Sequence, residues 1–279
     1  MRSILVTGGS GFFGRAFVRA ALAQGAERVC VFSRGEYAQH LMSEEFDRDP
    51  RIRFFVGDVR DAGRLRRAMH GIDLVVHAAA LKRVQVGEYD SGEMVKTNVI
   101  GAMNVIEAAT DAGVGRVVAL STDKACEPTN CYGASKLVAE KLFLAAQNAR
   151  GADGPLFAVC RYGNVAGSTG SVIPIWRRAI EAGRMVHMTH PECTRYWMTA
   201  AQAVDLVLTT AETMRGGELA IPALPAYRLA DLADAMGARS AITGLTPGEK
   251  LHESMRPGET SAMARRMSVE ELQEALCHA

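Results

Sequence analysis

The chain has 279 residues, enough for one large α/β domain, alone or with a smaller lobe. Hydrophobic residues make up 48% and charged residues 23%, as in ordinary globular enzymes. The formal net charge of +1 excludes a bulk attraction to nucleic acid or to an acidic membrane. No apolar run reaches the ~20 residues that span a bilayer. The N-terminal MRSILVTGG enters a strand at once, so we expect no signal peptide, no membrane contact and a cytoplasmic protein. The six cysteines (Cys30, Cys126, Cys131, Cys160, Cys193, Cys277) contain no Cys-x-x-Cys pair. No metal or redox site is expected, and all six read as thiols.

In chain order, apolar runs at Ile4 to Thr7, Val29 to Phe32, Ile52 to Val56, Leu74 to His77, Val117 to Leu120 and Leu156 to Cys160 lack polar alternation. They read as strands buried on both faces of a parallel sheet. Helical patterns lie between them at Gly14 to Gln24, Ala62 to Met69, Ser91 to Ala112 and Gly133 to Asn148. The alternation predicts right-handed crossovers and a doubly wound α/β sheet. Arg60, Arg64, Arg66 and Arg67 form the densest basic stretch and read as a solvated helix face.

After Arg161 the texture changes. Helices are expected from Ile175 to Ala182 and Ala201 to Met214, and a short strand from Glu218 to Ile221. Ser268 and Glu271 have the spacing of a capping box that opens a last helix. Residues 1–162 thus read as a dinucleotide-binding unit. Residues 163–279 read as a small substrate lobe interleaved with the last sheet elements, with the stretch at 200–222 returning to the first unit.

The first strand runs into Thr7-Gly8-Gly9-Ser10-Gly11-Phe12-Phe13-Gly14, with glycines 8, 11 and 14 evenly spaced. Such a turn lets backbone approach a pyrophosphate and aims a helix N-terminus at it. We therefore expect Gly8, Ser10, Gly11, Phe12, Phe13 and Gly14 around a dinucleotide in a Rossmann-type fold. The second strand ends Phe32-Ser33-Arg34, without the carboxylate that holds the ribose 2′-hydroxyl of NAD. Arg34 and Ser33 suit a 2′-phosphate, which predicts NADP. Glu36 is the competing ribose ligand. Asp58 is placed to face the adenine side, with helix capping as its competing role. Ala78, Ala79 and Ala80 would let the chain pass close to the cofactor.

The fifth strand ends Ser121-Thr122-Asp123-Lys124, followed by Tyr132 and Lys136. Tyr132 and Lys136, four apart, share one helix face. A tyrosine with a pKa of ~10 needs positive charge nearby to act as a base. Beside a nicotinamide such a pair can take a hydroxyl proton while hydride leaves the same carbon.

These motifs make the sequence resemble an extended short-chain dehydrogenase. More narrowly, it resembles the short soluble inverting UDP-N-acetylglucosamine 4,6-dehydratases of the pseudaminic acid pathway type. The resemblance rests on Ser121 to Ala125 with Pro128, Asn130, Tyr132, Gly133 and Lys136. It also rests on His77 to Lys82, Lys96 to Asn98, Arg161 to Val165, Thr194 to Thr199 and Pro247 to Glu253. It implies that Tyr132 takes the C4 hydroxyl proton, that hydride passes to NADP⁺ and returns at C6, and that water is lost across C5 and C6. It gives the elimination to Asp123 and Lys124, read here as acid and base with the roles exchangeable. A surface ion pair is the competing reading. It brings Thr122 into the catalytic set, and Val59, Lys82 and Asn98 beside the cofactor with Tyr132 and Lys136. Lys82, Asn164, Arg195 and Glu249 are implied as substrate contacts.

Family members with methionine at the position of Tyr132 include the large membrane-anchored dehydratases. The tyrosine here fits the soluble type and a homo-oligomer acting on a nucleotide sugar. Gln85 replaces a usual proline, Gly35 a usual acidic residue, and the chain runs on less far after Glu253 than in relatives, which leaves the sugar and base open. A nucleotide-sugar epimerase or reductase, and an NADP-sensing protein without turnover, are the alternatives. His77 and His252 read as packed or surface histidines.

Overall fold

The computed structural model describes residues 1–277. The first half alternates β1 (Ser3–Thr7), α1 (Phe12–Ala23), β2 (Arg28–Ser33), α2 (Glu36–Glu45), β3 (Ile52–Val56), α3 (Ala62–Ala68) and β4 (Leu74–His77). Then come α4 (Val84–Tyr89), α5 (Ser91–Val95), a π turn at Lys96–Ile100, α6 (Gly101–Asp111), β5 (Arg116–Thr122), a 3-10 turn at Asp123–Ala125, α7 (Cys131–Ala149) and β6 (Leu156–Tyr162). The remainder is β7 (Asn164–Val165), α8 (Val172–Glu181), β8 (Val186–Met188), β9 (Thr194–Met198), α9 (Ala200–Thr213), β10 (Leu219–Ala220), β11 (Ala226–Arg228), α10 (Leu229–Ala235), β12 (Ser240–Ile242), β13 (Ser254–Arg256), β14 (Glu259–Thr260) and α11 (Val269–Cys277).

Seven strands form one parallel sheet in the order β10-β6-β5-β4-β1-β2-β3. The strands lack polar alternation because both faces are covered. Ile4 and Val6 of β1 pack with Phe17 and Val18 of α1 and with Ala203 and Val207 of α9. Leu5 between them points to the other face, with Leu65 of α3, Val105 of α6 and Phe143 of α7. The strand order reverses between β1 and β4, which opens a crevice at the carboxyl ends of these strands.

The later elements attach to this frame at two levels. α9 and β10 join the main sheet, while β7, β9 and β11 make a three-stranded sheet of their own. Trp176, Trp197, Tyr227, Leu232 and Leu272 build a third core beside it.

Several later short elements were not expected from sequence, and three of the helical segments differ in an instructive way. The helix read from Ser91 to Ala112 is interrupted by the π turn, which buries Thr97 and Asn98; a π turn re-aims side chains that a regular helix would leave on another face. α2 escaped notice because only Gln39 and Met42 of its residues are buried, too few for a visible apolar stripe. α8 starts at Val172, ahead of the expected Ile175. Pro174 falls in its first turn, where the missing N–H costs no helical bond.

The Ser268–Glu271 capping box is formed by both of its hydrogen bonds. Arg60, Arg66 and Arg67 are exposed. Among the described residues no helix is long and apolar enough to cross a membrane, and the six cysteines are unpaired thiols.

Candidate active site

The glycine turn sets the floor of the crevice. Gly8 has φ +68°, and a Cβ there would stand 2.9 Å from the backbone of Ala79. At Gly14 a Cβ would fall 2.3 Å from the carbonyl of Gly9, a contact no side chain permits. The β1–α1 turn therefore presses against the end of β4 and folds α1 tightly onto itself. The Thr7 hydroxyl fixes the β4 side: it shares a 2.8 Å hydrogen bond with His77 Nδ1 and accepts from the N–H of Ala79. His77 is 1% exposed. Burial and then Lys136 push its pKa down to about 3, so it is a neutral packed histidine. Gly11, the N-cap of α1, supplies no side-chain cap, which leaves the first-turn N–H groups for an anion.

Above this floor lies a cleft of about 910 Å³. It brings together Gly8, Ser10, Gly11, Phe12, Phe13 and Gly14 from the turn with Ser33 and Arg34 from β2. Asp58, Val59, Ala78, Ala79, Ala80 and Lys82 line it as well, as do Thr122, Asp123, Lys124, Tyr132, Lys136 and Asn164. Ser33 Oγ accepts hydrogen bonds from Ser10 and Gln39, each at 2.9 Å. Glu36 is exposed in the first turn of α2 and is not among the lining residues. Asp58 binds the Arg60 guanidinium at 2.7 Å, and Asp61, not Asp58, caps α3. Arg83 and the 168–171 loop, not singled out from sequence, also line the cleft, as do Thr97, Ser121 and Tyr162, which the sequence offered only as members of motifs. Buried Oγ1 of Thr97, Oγ of Ser121 and Ser171, Oδ2 of Asp123 and Oδ1 of Asn164 have no partner within the protein. Buried polar groups of native proteins are paired, so five such atoms in one cleft mark positions a polar ligand would satisfy.

Three expected contacts lie elsewhere. Asn98 is 1% exposed. Its amide accepts from Leu81 N–H and donates to Leu81 O and Ser135 Oγ, so it anchors the strand-end loop from behind rather than facing the cleft. Arg195 and Glu249 are bound to each other at 2.8 Å. Arg195 also donates to the carbonyls of Thr194 and Leu251, and Glu249 accepts from Thr189 and Thr246. In this structure the two are paired with each other and neither lines the cleft.

The chemistry concentrates where β5 ends. Thr122 donates to Asp123 Oδ1 at 2.9 Å, and Lys124 Nζ donates to the same oxygen at 3.2 Å. Asp123 is 1% exposed, so the pair is not a surface ion pair. A third group, passed over from sequence except as the end of a motif, completes it: Glu253 Oε1 lies 2.9 Å from Lys124 Nζ.

Burial raises the Asp123 pKa; Lys124 opposes the rise and Glu253 adds to it. Burial alone would discharge Lys124, but Asp123 and Glu253 more than offset it and hold the ammonium charged. Glu253 is itself kept ionised against burial by Lys124 and Arg195.

Tyr132 stands beside this cluster because Gly133 lets the chains touch. A Cβ on Gly133 would lie 2.2 Å from the carbonyl of Lys124. Asn130 caps α7 by accepting from Gly133 N–H at 2.8 Å, which sets Tyr132 in the first turn. Burial pushes the phenol up to about 12, while Lys124 and a hydrogen bond with Thr122 pull against it. Lys124 is thus a cation acting on the phenol, one to which the four-residue spacing of Tyr132 and Lys136 does not point. Burial brings Lys136 down to about 8, with Glu140 opposing.

The Pro247 to Glu253 segment packs behind the cluster without lining the cleft. Thr129 and Asn130 both donate to Gly248 O, and Lys250 donates to Cys126 O. Among the described residues no cluster of His, Cys, Asp and Glu could hold a metal ion.

Comparison with known proteins agrees with this architecture. A model of a family described as polysaccharide biosynthesis protein matches residues 4–272. A UDP-N-acetylglucosamine 4,6-dehydratase (inverting) from Campylobacter jejuni is 44% identical over 264 residues, covering 93% of this chain and 79% of that protein. A UDP-glucose 4-epimerase from Rickettsia canadensis is 39% identical over 273 residues, covering 94% and 80%. The structure of DesIV, a dTDP-glucose 4,6-dehydratase from Streptomyces venezuelae with NAD bound, superposes with a TM-score of 0.85 at 27% identity over 99% of this chain and 96% of that one.

Proposed function

The chain belongs to the polysaccharide biosynthesis protein family, within the extended short-chain dehydrogenases, and from that premise we propose that it is an NADP-dependent 4,6-dehydratase of a UDP-N-acetylhexosamine, first of all UDP-N-acetylglucosamine. The observation that carries the reading is one cleft holding Tyr132 and Lys136 together with Asp123 and Lys124. An oxidation needs only the first pair; elimination of water needs a base and an acid besides. The rest of the proposal is a cytoplasmic homo-oligomer, the usual state for such enzymes, with residues 1–162 holding the cofactor and 163–279 most of the sugar contacts.

The lining fits the cofactor. The cleft volume lies within the range of ~300–1,000 Å³ typical of ligand sites, the turn offers free N–H groups, and the unpartnered Thr97 and Ser121 hydroxyls supply further polar contacts. Arg34 lines the cleft and Glu36 does not, which supports NADP over NAD. Held by the β1–α1 turn with Ser33 and Arg34, NADP would supply an acceptor for the C4 hydride and a donor for its return at C6. Tyr132 takes the C4 hydroxyl proton. Lys136 and Lys124 supply the positive charge that its high pKa requires.

For the elimination, the ionisation of the site supports the exchanged assignment. Lys124 is held as an ammonium and cannot serve as the resting base; it is the proton donor. Asp123, whose Oδ2 is free and whose pKa is raised, is the better base. Asp123 takes the C5 proton, the C–H electrons form the C5–C6 double bond, and the C6–O bond breaks with its pair. Lys124 protonates the departing oxygen to water, and the resulting amine recovers its proton from the Asp123 carboxyl. Once hydride is back at C6, C5 takes up the proton that Tyr132 removed from the C4 hydroxyl, which resets the phenol.

The reading is tested by incubating the protein with UDP-N-acetylglucosamine and NADP and weighing the product. A sugar nucleotide lighter by one water, with no net change in NADPH, is expected. The likeness to a named epimerase supplies the competing outcome: a product of unchanged mass would replace dehydration with epimerisation.

A further inference from the structure

Glu253 lines none of the cleft. It is 2% exposed and sits just before β13, with its backbone stitched to Ser261 on both sides. Its carboxylate points at the rear of the Asp123–Lys124 pair. Oε1 takes the Lys124 ammonium, Arg195 Nε stands 4.0 Å away, and Oε2 is buried without a partner. Burying a carboxylate this deeply carries a penalty of several kcal/mol per ion. Its bonding leaves one of its two oxygens unused, so tying down the chain does not account for it.

We propose that Glu253 is a positioning residue: by drawing the Lys124 ammonium to itself and setting a second negative charge behind Asp123, it assigns proton donation to Lys124 and proton abstraction to Asp123. The proposal rests on the dehydratase reading. The geometry supports it directly. One ammonium is shared between two carboxylates at 3.2 and 2.9 Å. Arg195 lies on the Glu253 side, so Glu253 has two cations where Asp123 has a shared one. Negative charge settles on Glu253. Asp123 is left as the carboxylate that most readily takes up a proton.

The other ionisable groups around the pair do not compete. Tyr132 of α7, Tyr196 of β9 and Tyr227 of β11 all act on or feel Asp123, and all three are pushed up to about 12 by burial. In the ligand-free protein all three are neutral near neutral pH, and Tyr132 would need added positive charge from a bound cofactor to act as a base. Arg195 and Lys250 face Glu253 and favour its ionised form. His252, next in the chain, turns to Thr194 instead. Asp123 is therefore the group whose titration Glu253 governs.

The test compares wild type with Glu253→Gln and Glu253→Asp on two readouts. In the ligand-free protein, carboxyl-carbon NMR of labelled aspartate, assigned with Asp123→Asn, follows the Asp123 titration. The proposal predicts that the midpoint falls by a unit or more, about tenfold in proton affinity, in Glu253→Gln and is restored in Glu253→Asp. In turnover, the acid limb of the kcat profile moves down in the same variant, and kcat falls at least about tenfold with KM little changed.

If the Asp123 midpoint stays in place, or rises, in a folded Glu253→Gln protein, Glu253 is a structural residue and the proposal is wrong. If the midpoint moves but wild type releases no dehydrated sugar, the electrostatic coupling stands and the dehydratase reading falls. Should Glu253→Gln fail to fold, Arg195→Gln, which takes one of the two cations from Glu253, replaces it: an Asp123 midpoint unchanged from wild type in that variant would equally overturn the proposal.

Discussion

Lys124 and Glu253 are joined by a 2.9 Å ion pair that links the end of β5 to the chain just before β13, with the lysine side chain 20% exposed and the glutamate 3%. Removing the cation leaves two buried carboxylates facing each other. Lys124→Met should lose about 3–5 kcal/mol of stability at neutral pH, the usual cost of stranding a buried charge. In that variant the folded carboxylates titrate above their unfolded values, so the loss should shrink as pH falls through the folded values. Urea denaturation near neutrality and near pH ~5 measures both. An equal loss at the two pH values would contradict the shared-cation description.

Tyr132→Phe removes the proposed proton acceptor without changing the fold. Turnover should drop by roughly 10²- to 10⁴-fold, the range for losing a general base, while the melting temperature stays within a degree or two of wild type. A variant as fast as wild type would remove Tyr132 from the mechanism.

The Lys136 ammonium, brought down by burial to about 8, predicts an alkaline limb. Where its charge is needed, kcat should decline as pH rises through that value. Lys136→Arg keeps the charge and should push the limb upward in whatever activity it retains. A pH–rate profile of both proteins checks this; a limb that does not move assigns it to another group.

Arg34→Ala should weaken NADP binding by about tenfold to a hundredfold, the worth of a charge-assisted hydrogen bond, and leave NAD binding unchanged. Calorimetric titration with each dinucleotide distinguishes the cases. Equal weakening of both would show that Arg34 acts on the turn rather than on a 2′-phosphate.

Gly133→Ala would drive a methyl group to 2.2 Å from the Lys124 carbonyl, a contact between two backbones that no rotamer relieves. Overpacking of this kind costs about 1–3 kcal/mol. Here it would also separate Lys124 from Tyr132, and a displacement near 1 Å can lower the rate about 10²-fold. Chemical denaturation together with single-turnover kinetics tests the pair of effects; full activity in the variant would show that the contact does not set the catalytic distance.

Where residues act through their own backbone geometry, the sequence was readable. The six apolar runs became six parallel strands because strands covered on both faces need no polar alternation, and the spaced glycines announced the turn because the geometry admits little else. What stayed hidden depends on partners remote in the chain. Arg195 and Glu249 looked like substrate ligands because nothing in their neighbourhoods shows that they neutralise each other. Asn98 comes beside the cofactor only through the family resemblance, and the π turn that aims its amide at Leu81 has no signature in the residues around it. Glu253 was quoted only as the end of a motif, since its meaning lies in the Lys124 ammonium contributed by β5. Even Tyr132 and Lys136, found by spacing, could not reveal that Lys124 also acts on the phenol.

The central claim, a hydride lent from C4 and returned at C6 across an elimination, is tested most directly with UDP-N-acetylglucosamine carrying deuterium at C4. After turnover with NADP the product should be lighter by one water and carry the deuterium at C6, with no labelled dinucleotide accumulating. Deuterium found again at C4 of a product of unchanged mass, or passed permanently to the dinucleotide, would contradict the account.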